Sequence, residues 1–332
     1  MYLANSERYQ SFQYRKIKNS GLVLPPLSLG CWHNFGDDTP IQQQKSVLYT
    51  AFDHGINHFD LANNYGTPFG SAEENIGHFL KTDFKPYRDE LIISTKAGWD
   101  MWPGPYGQGG SSRKYLMASL DQSLQRLGLD YVDIFYSHRY DPETPLEETA
   151  KTLADIVQQG KALYVGISSG YTPELTLQLI ELLQTYHIPL TLHQPIYNFF
   201  ERQIEQGLTE TAKQEGFGVI TFSPLAQGLL AGRYLNGVPK DSRIGRGSRY
   251  LQSEQLVALK LQQIQQLNEI AKRRDQTLAQ LSLSWVLRDE RITSTIIGAS
   301  RPEQLIENLK ALQNTVFSAE ELTQIDTLLN TP

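Results

Sequence analysis

The sequence predicts an α/β fold, a (β/α)8 TIM barrel with an N-terminal β-hairpin and a C-terminal helix. Eight short apolar segments of strand length alternate with amphipathic runs of helix length, which is the pattern of a parallel sheet covered by helices. Neither G-x-G-x-x-G after a strand nor G-x-x-x-x-G-K-[ST] occurs, so the motifs of a dinucleotide-binding open sheet or a P-loop are absent. Eight strand–helix units therefore favour a closed barrel.

The predicted elements follow one another with few interruptions. A hairpin is expected from residues 12–17 and 22–24 around a turn at 19–21. The eight strands are expected at 26–30, 58–62, 91–97, 132–138, 162–168, 190–194, 218–222 and 295–297. The helices are expected at 44–54, 72–82, 113–127, 146–159, 173–187, 203–215, 278–288, 302–312 and 319–329. We expect one domain over residues 1–332, with long loops at 98–111 and 226–253 that carry function.

Composition excludes several classes of function. The chain has 332 residues, a net charge of −6 and no Lys/Arg run, so it lacks the basic footprint of a nucleic-acid or membrane-surface protein. No apolar run has the length of a membrane span, and the N-terminus has no apolar signal core. Cys31 is the single cysteine, which fits a reducing compartment. We expect a cytoplasmic protein that binds neither nucleic acid nor membrane.

Four chemically useful side chains follow successive predicted strands, at the barrel end where active sites form. They are Asp60, Tyr65, Lys96 and His138. Lys96 lies in the apolar segment ISTKAG, where an ammonium needs a partner, and Asp60 at the end of the neighbouring strand is the natural one. A cation beside Tyr65 should lower the pKa of its phenol from about 10. Tyr65 would then donate a proton, and His138 would orient a carbonyl oxygen or share the proton.

Other barrel chemistries fit these strand ends less well. A metal-dependent hydrolase needs a cluster of His and carboxylate ligands, whereas only His138 and Asp60 stand at strand ends, so no metal site is expected. A glycosidase needs two carboxylates across the scissile bond, and no second acidic residue ends a strand. Schiff-base chemistry through Lys96, as in an aldolase, stays open.

Motifs over nearly the whole chain resemble those of the aldo-keto reductases. They are GCWHNFG at 30–36, HFDLANNYG at 58–66, IISTKAG at 92–98, DIFYSHR at 133–139, VGISS at 165–169, FSPLAQGLLAGRY at 222–234 and IIGASRPEQLIENLKAL at 296–312. Within that superfamily the chain resembles the bacterial L-glyceraldehyde-3-phosphate reductase group, itself similar to the voltage-gated potassium channel β subunits. The string ELIISTKAGWDMWPGPYGQGG at 90–110 carries this second resemblance.

The resemblance implies a catalytic tetrad and a cofactor. The tetrad is Asp60, Tyr65, Lys96 and His138, with Tyr65 as the acid, and the cofactor is NADPH. The implied cofactor-binding residues are Trp32, Asp60, Ser168, Gln194, Phe222, Ser223, Leu225, Gln227, Gly228, Arg233, Arg243, Gly298, Ser300, Gln304, Glu307 and Asn308. The implied substrate pocket contains Trp32, His33, Phe35, Tyr65, Trp99, Met101, Trp102, Tyr106, His138 and Arg139. Ser300 and Glu303 also have the spacing of a capping box.

The function that this resemblance implies is NADPH-dependent reduction of small aldehydes, including L-glyceraldehyde 3-phosphate and methylglyoxal, in a possible homo-oligomer. An alternative is an NADP(H)-sensing module like the channel β subunits, in which the redox state of the cofactor matters more than turnover. His138 favours turnover, because the channel-type relatives carry Asn at this position. Schiff-base catalysis through Lys96 is the third possibility.

Overall fold

The computed structural model describes residues 2–235 and 258–330, and its centre is a closed barrel of eight parallel strands. A short antiparallel hairpin, β1 (Arg15–Lys16) and β2 (Val23–Leu24), precedes the barrel. The barrel strands are β3 (Leu27–Gly30), β4 (His58–Asp60), β5 (Ile92–Ala97), β6 (Val132–Arg139), β7 (Ala162–Ser169), β8 (Leu192–His193), β9 (Gly218–Thr221) and β10 (Ile292–Ile297). They pair in chain order, and β10 closes the ring against β3. The predicted barrel is confirmed.

Four of the barrel strands are buried on both faces along their whole length. Every residue of β4, β5, β9 and β10 is buried, because helices cover the outside and side chains from opposite strands fill the inside. The pairing of neighbouring strands fixes where their polar side chains lie. Asp60 of β4 pairs with Ser94 of β5, and Lys96 of β5 pairs with Tyr136 of β6. The ends of β4, β5 and β6 therefore bring their polar side chains to one end of the barrel.

The helices cover the outside of the barrel. They are α1 (Ile41–Asp53), α2 (Ser71–Lys81), α3 (Arg113–Leu127), α4 (Leu146–Gln158), α5 (Pro173–Gln184), α6 (Leu208–Glu215), α7 (Ala258–Arg273), α8 (Leu278–Leu287), α9 (Pro302–Leu309) and α10 (Ala319–Asn330). None of these helices, which belong to residues 2–235 and 258–330, has both the length and the apolar character that a membrane span needs.

One predicted helix begins later than expected, and one helix was not predicted. The helix expected at 203–215 begins only at Leu208, because Gly207 has a positive φ of 112° and separates it from a short 3-10 turn at Gln203–Glu205. Helix α7 was not predicted at all. It is an additional helix between β9 and α8, which a strict alternation of one strand and one helix does not anticipate.

The hairpin closes the end of the barrel opposite to the polar strand ends. Ile17, Leu22 and Leu24 are buried in one apolar cluster with barrel residues that include Ile92 and Leu192, which stand at the starts of their strands. This cluster seals the lower end of the barrel with packed aliphatic side chains. Access to the interior is therefore left to the end where the strands finish.

Gly166 of β7 provides a test of this interior packing. A Cβ added there would lie 2.5 Å from two ring carbons of Tyr136 and 2.9 Å from the carbonyl oxygen of Leu192. We expect Gly166→Ala to lower the free energy of unfolding by about 1–3 kcal/mol, because overpacking forces side chains or backbone to shift. Urea denaturation measures the loss. Gly21→Ala is the control, since a Cβ at Gly21 meets nothing within 4 Å; equal stability of the two variants would contradict the packing described.

Candidate active site

The site is built around a fully buried ion pair between Lys96 and Asp60. The Lys96 side chain has no exposed surface and that of Asp60 is 2% exposed. Lys96 Nζ donates to Asp60 Oδ2 and to the carbonyl oxygen of Leu61, both at 2.6 Å. The predicted pairing is confirmed. Burial pulls the pKa of Lys96 down, but Asp60 and Tyr65 more than offset it, so the pKa is raised and Lys96 stays an ammonium.

Tyr65 lies beside this ion pair, in the loop after β4. Lys96 Nζ is 4.8 Å from the centroid of the Tyr65 ring, and the Trp32 ring stacks on Tyr65 with ring centroids 5.5 Å apart. Burial raises the pKa of Tyr65, and the opposing effect of Lys96 is smaller, so the net direction is upward. The expectation that Lys96 lowers this pKa was therefore wrong in its net sign, because it neglected desolvation. The phenol is protonated at neutral pH.

His138, near the end of β6, completes the group. Its ring centroid is 6.0 Å from that of Tyr65, and the side chain is buried. Burial lowers the pKa of His138 well below its ordinary value, and the cations Lys96 and Arg139 lower it further. The imidazole is therefore neutral at pH 7. Its Nδ1 atom has no hydrogen-bond partner among the residues that the structure describes.

Two further groups hold Asp60 in place. Ser94 Oγ donates to Asp60 Oδ1 at 2.8 Å, and Gln194 Nε2 donates to the same oxygen at 3.0 Å. The sequence interpretation missed Ser94 in this position. A signal existed, because Ser94 stands two residues before Lys96 on β5, and residues i and i+2 of a strand point to the same face.

The residues expected in the substrate pocket divide into two groups. Trp32, Tyr65, His138 and Trp99 come together, with the rings of Trp99 and His138 6.2 Å apart. Arg139 lies across the Trp99 ring at 4.9 Å, and its Nε donates to Gly98 O at 2.7 Å. The structure therefore brings three of these aromatic rings and the Arg139 guanidinium together around His138.

The other expected pocket residues have different surroundings. The Trp102 ring packs against Tyr115 of α3 at 5.2 Å, and the Tyr115 hydroxyl donates to the carbonyl oxygen of Trp99. Loop 98–111 is thus partly packed on its own helix. Phe35 is fully buried in the core, which contradicts its expected place in the pocket, because a side chain without exposed surface cannot meet a substrate. His33 stacks on Trp32 at 3.8 Å.

Comparison with known proteins decides the family. Residues 26–330 match the Aldo/keto reductase family. The chain belongs to this family. It is 60% identical over 330 residues to the L-glyceraldehyde 3-phosphate reductases of Escherichia coli K12 and O157:H7, covering 98% of this chain and 95% of each relative. It is 36% identical over 303 residues to a probable voltage-gated potassium channel subunit beta of Arabidopsis thaliana, covering 90% of this chain and 91% of that protein. The protein is therefore an oxidoreductase.

Aldo/keto reductases use a nicotinamide cofactor, and several of the expected cofactor residues stand at or just after the ends of β7 to β10. Ser168 Oγ donates to the main-chain carbonyl of Gln194 at 2.7 Å. After β9, the backbone of Ser223, Ala226 and Gln227 has positive φ angles of 55°, 46° and 58°. Such conformations cost energy in residues other than glycine and concentrate at ligand-binding loops. Gln227 Nε2 also donates to Ser223 Oγ at 3.0 Å.

The residues expected near the adenosine end cluster at α9. The Ser300 amide and hydroxyl both donate to Gln304 Oε1, at 2.8 and 3.1 Å. The capping box with Glu303 was wrong: the N-cap is Arg301, which makes no side-chain capping bond. Glu307 accepts from Gln280 and Lys310, and Asn308 is buried. Arg233 is exposed, whereas Arg243 lies outside the described residues.

The sequence predicted no metal site at the strand ends. Within residues 2–235 and 258–330, no group of three or more His, Cys, Asp or Glu side chains is placed to hold a metal ion.

Removing the Asp60 charge should cost stability. In Asp60→Asn the buried Lys96 ammonium loses its counter-ion, and breaking such a pair costs about 3–5 kcal/mol. The matched control is Asp83→Asn. Asp83 pairs with Lys45 at 3.0 Å, and the two side chains are 16% and 34% exposed. Such a surface pair is worth at most about 1 kcal/mol. Urea denaturation at pH 7 compares the two. An equal loss of the free energy of unfolding in the two variants would mean that the buried pair stabilises the fold no more than the surface pair.

Proposed function

We propose that this protein is an NADPH-dependent reductase of small aldehydes, L-glyceraldehyde 3-phosphate and methylglyoxal among them, with Tyr65 as the general acid. The observation that carries the proposal is the buried Lys96–Asp60 pair placed 4.8 Å from the Tyr65 ring. The 60% identity to reductases named for L-glyceraldehyde 3-phosphate supports the substrate class.

Tyr65 supplies the proton. Its raised pKa keeps the phenol protonated at neutral pH, so the acid is present in the form that the reduction consumes. The carbonyl oxygen gains negative charge as the carbon is reduced, and it takes the phenolic proton. The stacked Trp32 ring restricts where Tyr65 can lie, which fixes the position of the donor.

Lys96 and Asp60 act on the Tyr65 phenolate that remains after the proton transfer. The Tyr65 phenolate that remains is stabilised by the ammonium of Lys96, which touches the phenol. Asp60 keeps Lys96 charged, because their contact raises the pKa of Lys96 against the effect of burial. Lys96 thus offsets part of the cost that burial places on the phenolate, which lowers the barrier relative to a buried tyrosine without this cation.

His138 orients the substrate. Because its pKa is lowered well below the ordinary value, it is a neutral imidazole with a single N–H. A neutral ring can donate one hydrogen bond to a carbonyl oxygen beside Tyr65 without competing as a proton source. The Trp99 ring next to it limits the approach of the substrate.

The nicotinamide cofactor supplies a hydride to the carbonyl carbon. Ser168, Gln194 and Phe222 would hold the nicotinamide end, and the loop from Ser223 to Gly228 would hold the pyrophosphate. Three positive φ angles at non-glycine residues in that loop, and the open space that a Cβ at Gly228 or Gly298 would meet, fit a bound dinucleotide. The first turn of α9 lacks a side-chain cap, and the N-terminal end of a helix suits a phosphate.

The two alternative functions are less well supported. The 36% identity to a channel β subunit suggests a cofactor-sensing module, but His138 beside Tyr65 favours turnover. Schiff-base chemistry needs Lys96 as a neutral amine. The raised pKa of Lys96 and its two hydrogen bonds at 2.6 Å argue against that role.

Tyr65→Phe is expected to lower kcat by at least 10²–10⁴-fold, the usual contribution of a general acid, and to leave NADPH affinity nearly unchanged. Steady-state consumption of NADPH with methylglyoxal and a fluorescence titration of the cofactor measure the two quantities. Tyr136→Phe is the matched control, because Tyr136 is a second phenol near Lys96, fully buried in the barrel. Turnover of Tyr65→Phe at the level of this control would remove Tyr65 from the mechanism.

NADPH is expected to bind more tightly than NADH. The 2′-phosphate would meet Ser300, Arg301 and Gln304 at the start of α9, and each charge-assisted bond is worth about 1.5–3 kcal/mol, or roughly ten- to a few-hundred-fold in Kd. Arg301→Ala should reduce the preference, whereas Arg273→Ala, an exposed arginine on α7, should not. Equal Kd values for the two cofactors in the unmodified protein would defeat this assignment.

A further inference from the structure

A chain of hydrogen bonds runs through the barrel interior and ends on Asp60. Ser294 Oγ contacts Ser28 Oγ at 2.7 Å, and Ser28 Oγ contacts His58 Nδ1 at 2.8 Å. His58 Nε2 contacts Ser94 Oγ at 2.9 Å, and Ser94 Oγ donates to Asp60 Oδ1 at 2.8 Å. The four residues behind Asp60 have no exposed surface. The chain crosses β10, β3, β4 and β5, which are neighbours in the barrel.

The charge on Asp60 sets the position of the protons nearest to it. A carboxylate only accepts hydrogen bonds, and Asp60 accepts them from the Lys96 ammonium, Ser94 and Gln194. The single hydroxyl proton of Ser94 is therefore used toward Asp60. The contact between Ser94 Oγ and His58 Nε2 can then be a hydrogen bond only if Nε2 carries a proton and donates it.

Counting protons in the same way assigns the donor and the acceptor in each remaining hydrogen bond. Burial lowers the pKa of His58 to about 4, with Lys96 acting in the same direction and Asp60 opposing, so the ring is neutral and has one N–H. With that proton on Nε2, Nδ1 is an acceptor and Ser28 donates to it. The proton of Ser28 is then used, so Ser294 must donate to Ser28. Every donor in the chain points toward Asp60.

We infer that His58 is a positioning residue, held as the Nε2–H tautomer, that directs the hydroxyl of Ser94 onto Asp60. The inference rests on the proposed function in one respect, since Asp60 acts there through Lys96 on Tyr65. His58 itself touches neither Lys96 nor Tyr65 through any of its hydrogen bonds, which go to Ser28 and Ser94.

The consequence for Asp60 follows from where its hydrogen bonds come from. Lys96 holds Oδ2, whereas Ser94 and Gln194 hold Oδ1. Without the N–H of His58, the Ser94 hydroxyl is free to rotate away, and Oδ1 keeps one donor. Asp60 and with it Lys96 are then less firmly placed against Tyr65, and small misplacements of catalytic groups can lower a rate by about a hundredfold.

Nitrogen NMR of the ¹⁵N-histidine-labelled protein tests the tautomer directly and needs neither cofactor nor aldehyde. His58→Gln identifies the His58 ring signals among the seven histidines. We expect a protonated Nε2 and a bare Nδ1 between pH 6 and 9. Ser94→Ala should move the proton to Nδ1, because the acceptor for Nε2–H is gone while Ser28 can still accept. His193, whose Nε2 contacts the carbonyl oxygen of Ser168 at 3.2 Å, is the internal reference and should not change.

Two variants separate positioning from simple filling of space. The amide nitrogen of Gln can take the place of His Nε2 and donate to Ser94, whereas Asn reaches only the place of Nδ1 beside Ser28. We expect His58→Asn to lower kcat by roughly ten- to a hundredfold with little change in KM, and His58→Gln to keep kcat within about threefold, since its donor to Ser94 is retained. Melting temperature and NADPH affinity show that both variants are folded.

The outcomes distinguish this inference from the proposed function. A proton on Nδ1 of His58 in the unmodified protein, or no change of tautomer in Ser94→Ala, would overturn the inference whatever the activity. Equal kcat values for His58→Gln and His58→Asn, both folded, would overturn the positioning role. Full turnover of Tyr65→Phe would instead overturn the proposed function, and the tautomer measurement would still decide how the chain of hydrogen bonds is ordered.

Discussion

The constraint on which this site depends is a full positive charge with no access to water. Lys96 has no exposed surface, and an unpaired ammonium in such surroundings would cost several kcal/mol. The barrel meets this requirement with Asp60 and a main-chain carbonyl, and it then holds Asp60 with Ser94 and Gln194. Asp60, Leu61 and Gln194 stand at a strand end or just after it, and Ser94 lies inside β5. The closed parallel barrel is therefore what brings these groups to Lys96.

Burial and charge act on Tyr65 in opposite directions, and burial is the larger effect. Reasoning from neighbouring charges alone gave the wrong sign for the pKa shift, because the order of the strands shows that Lys96 is near Tyr65 but not how much water is removed from the phenol. The result has a chemical meaning. With its pKa raised, the phenol keeps its proton at rest, and Lys96 reduces the cost that burial alone would place on the phenolate.

The barrel was predictable because each of its eight strands is a buried apolar segment followed by a helix. Pairing of Asp60 with Lys96 was predictable too, since both stand at ends of consecutive strands. The serines of the interior were not: Ser28, Ser94 and Ser294 are small, common residues, and only the register of β10, β3, β4 and β5 brings them to His58. Helix α7 was missed although Ile264, Leu267, Ile270 and Ala271 are buried along it. In the described part of the chain α7 precedes α8 between β9 and β10, where the repeating unit has one helix.

The hairpin at the base of the barrel decides from which side a ligand can reach the site. Ile17, Leu22 and Leu24 pack with buried strand residues that include Ile92 and Leu192, so the lower end of the barrel is closed. A cofactor and an aldehyde that both reach Tyr65 must therefore enter and leave at the same end of the barrel. A hairpin remote from every group that handles a proton thus makes the two ligands neighbours at one mouth.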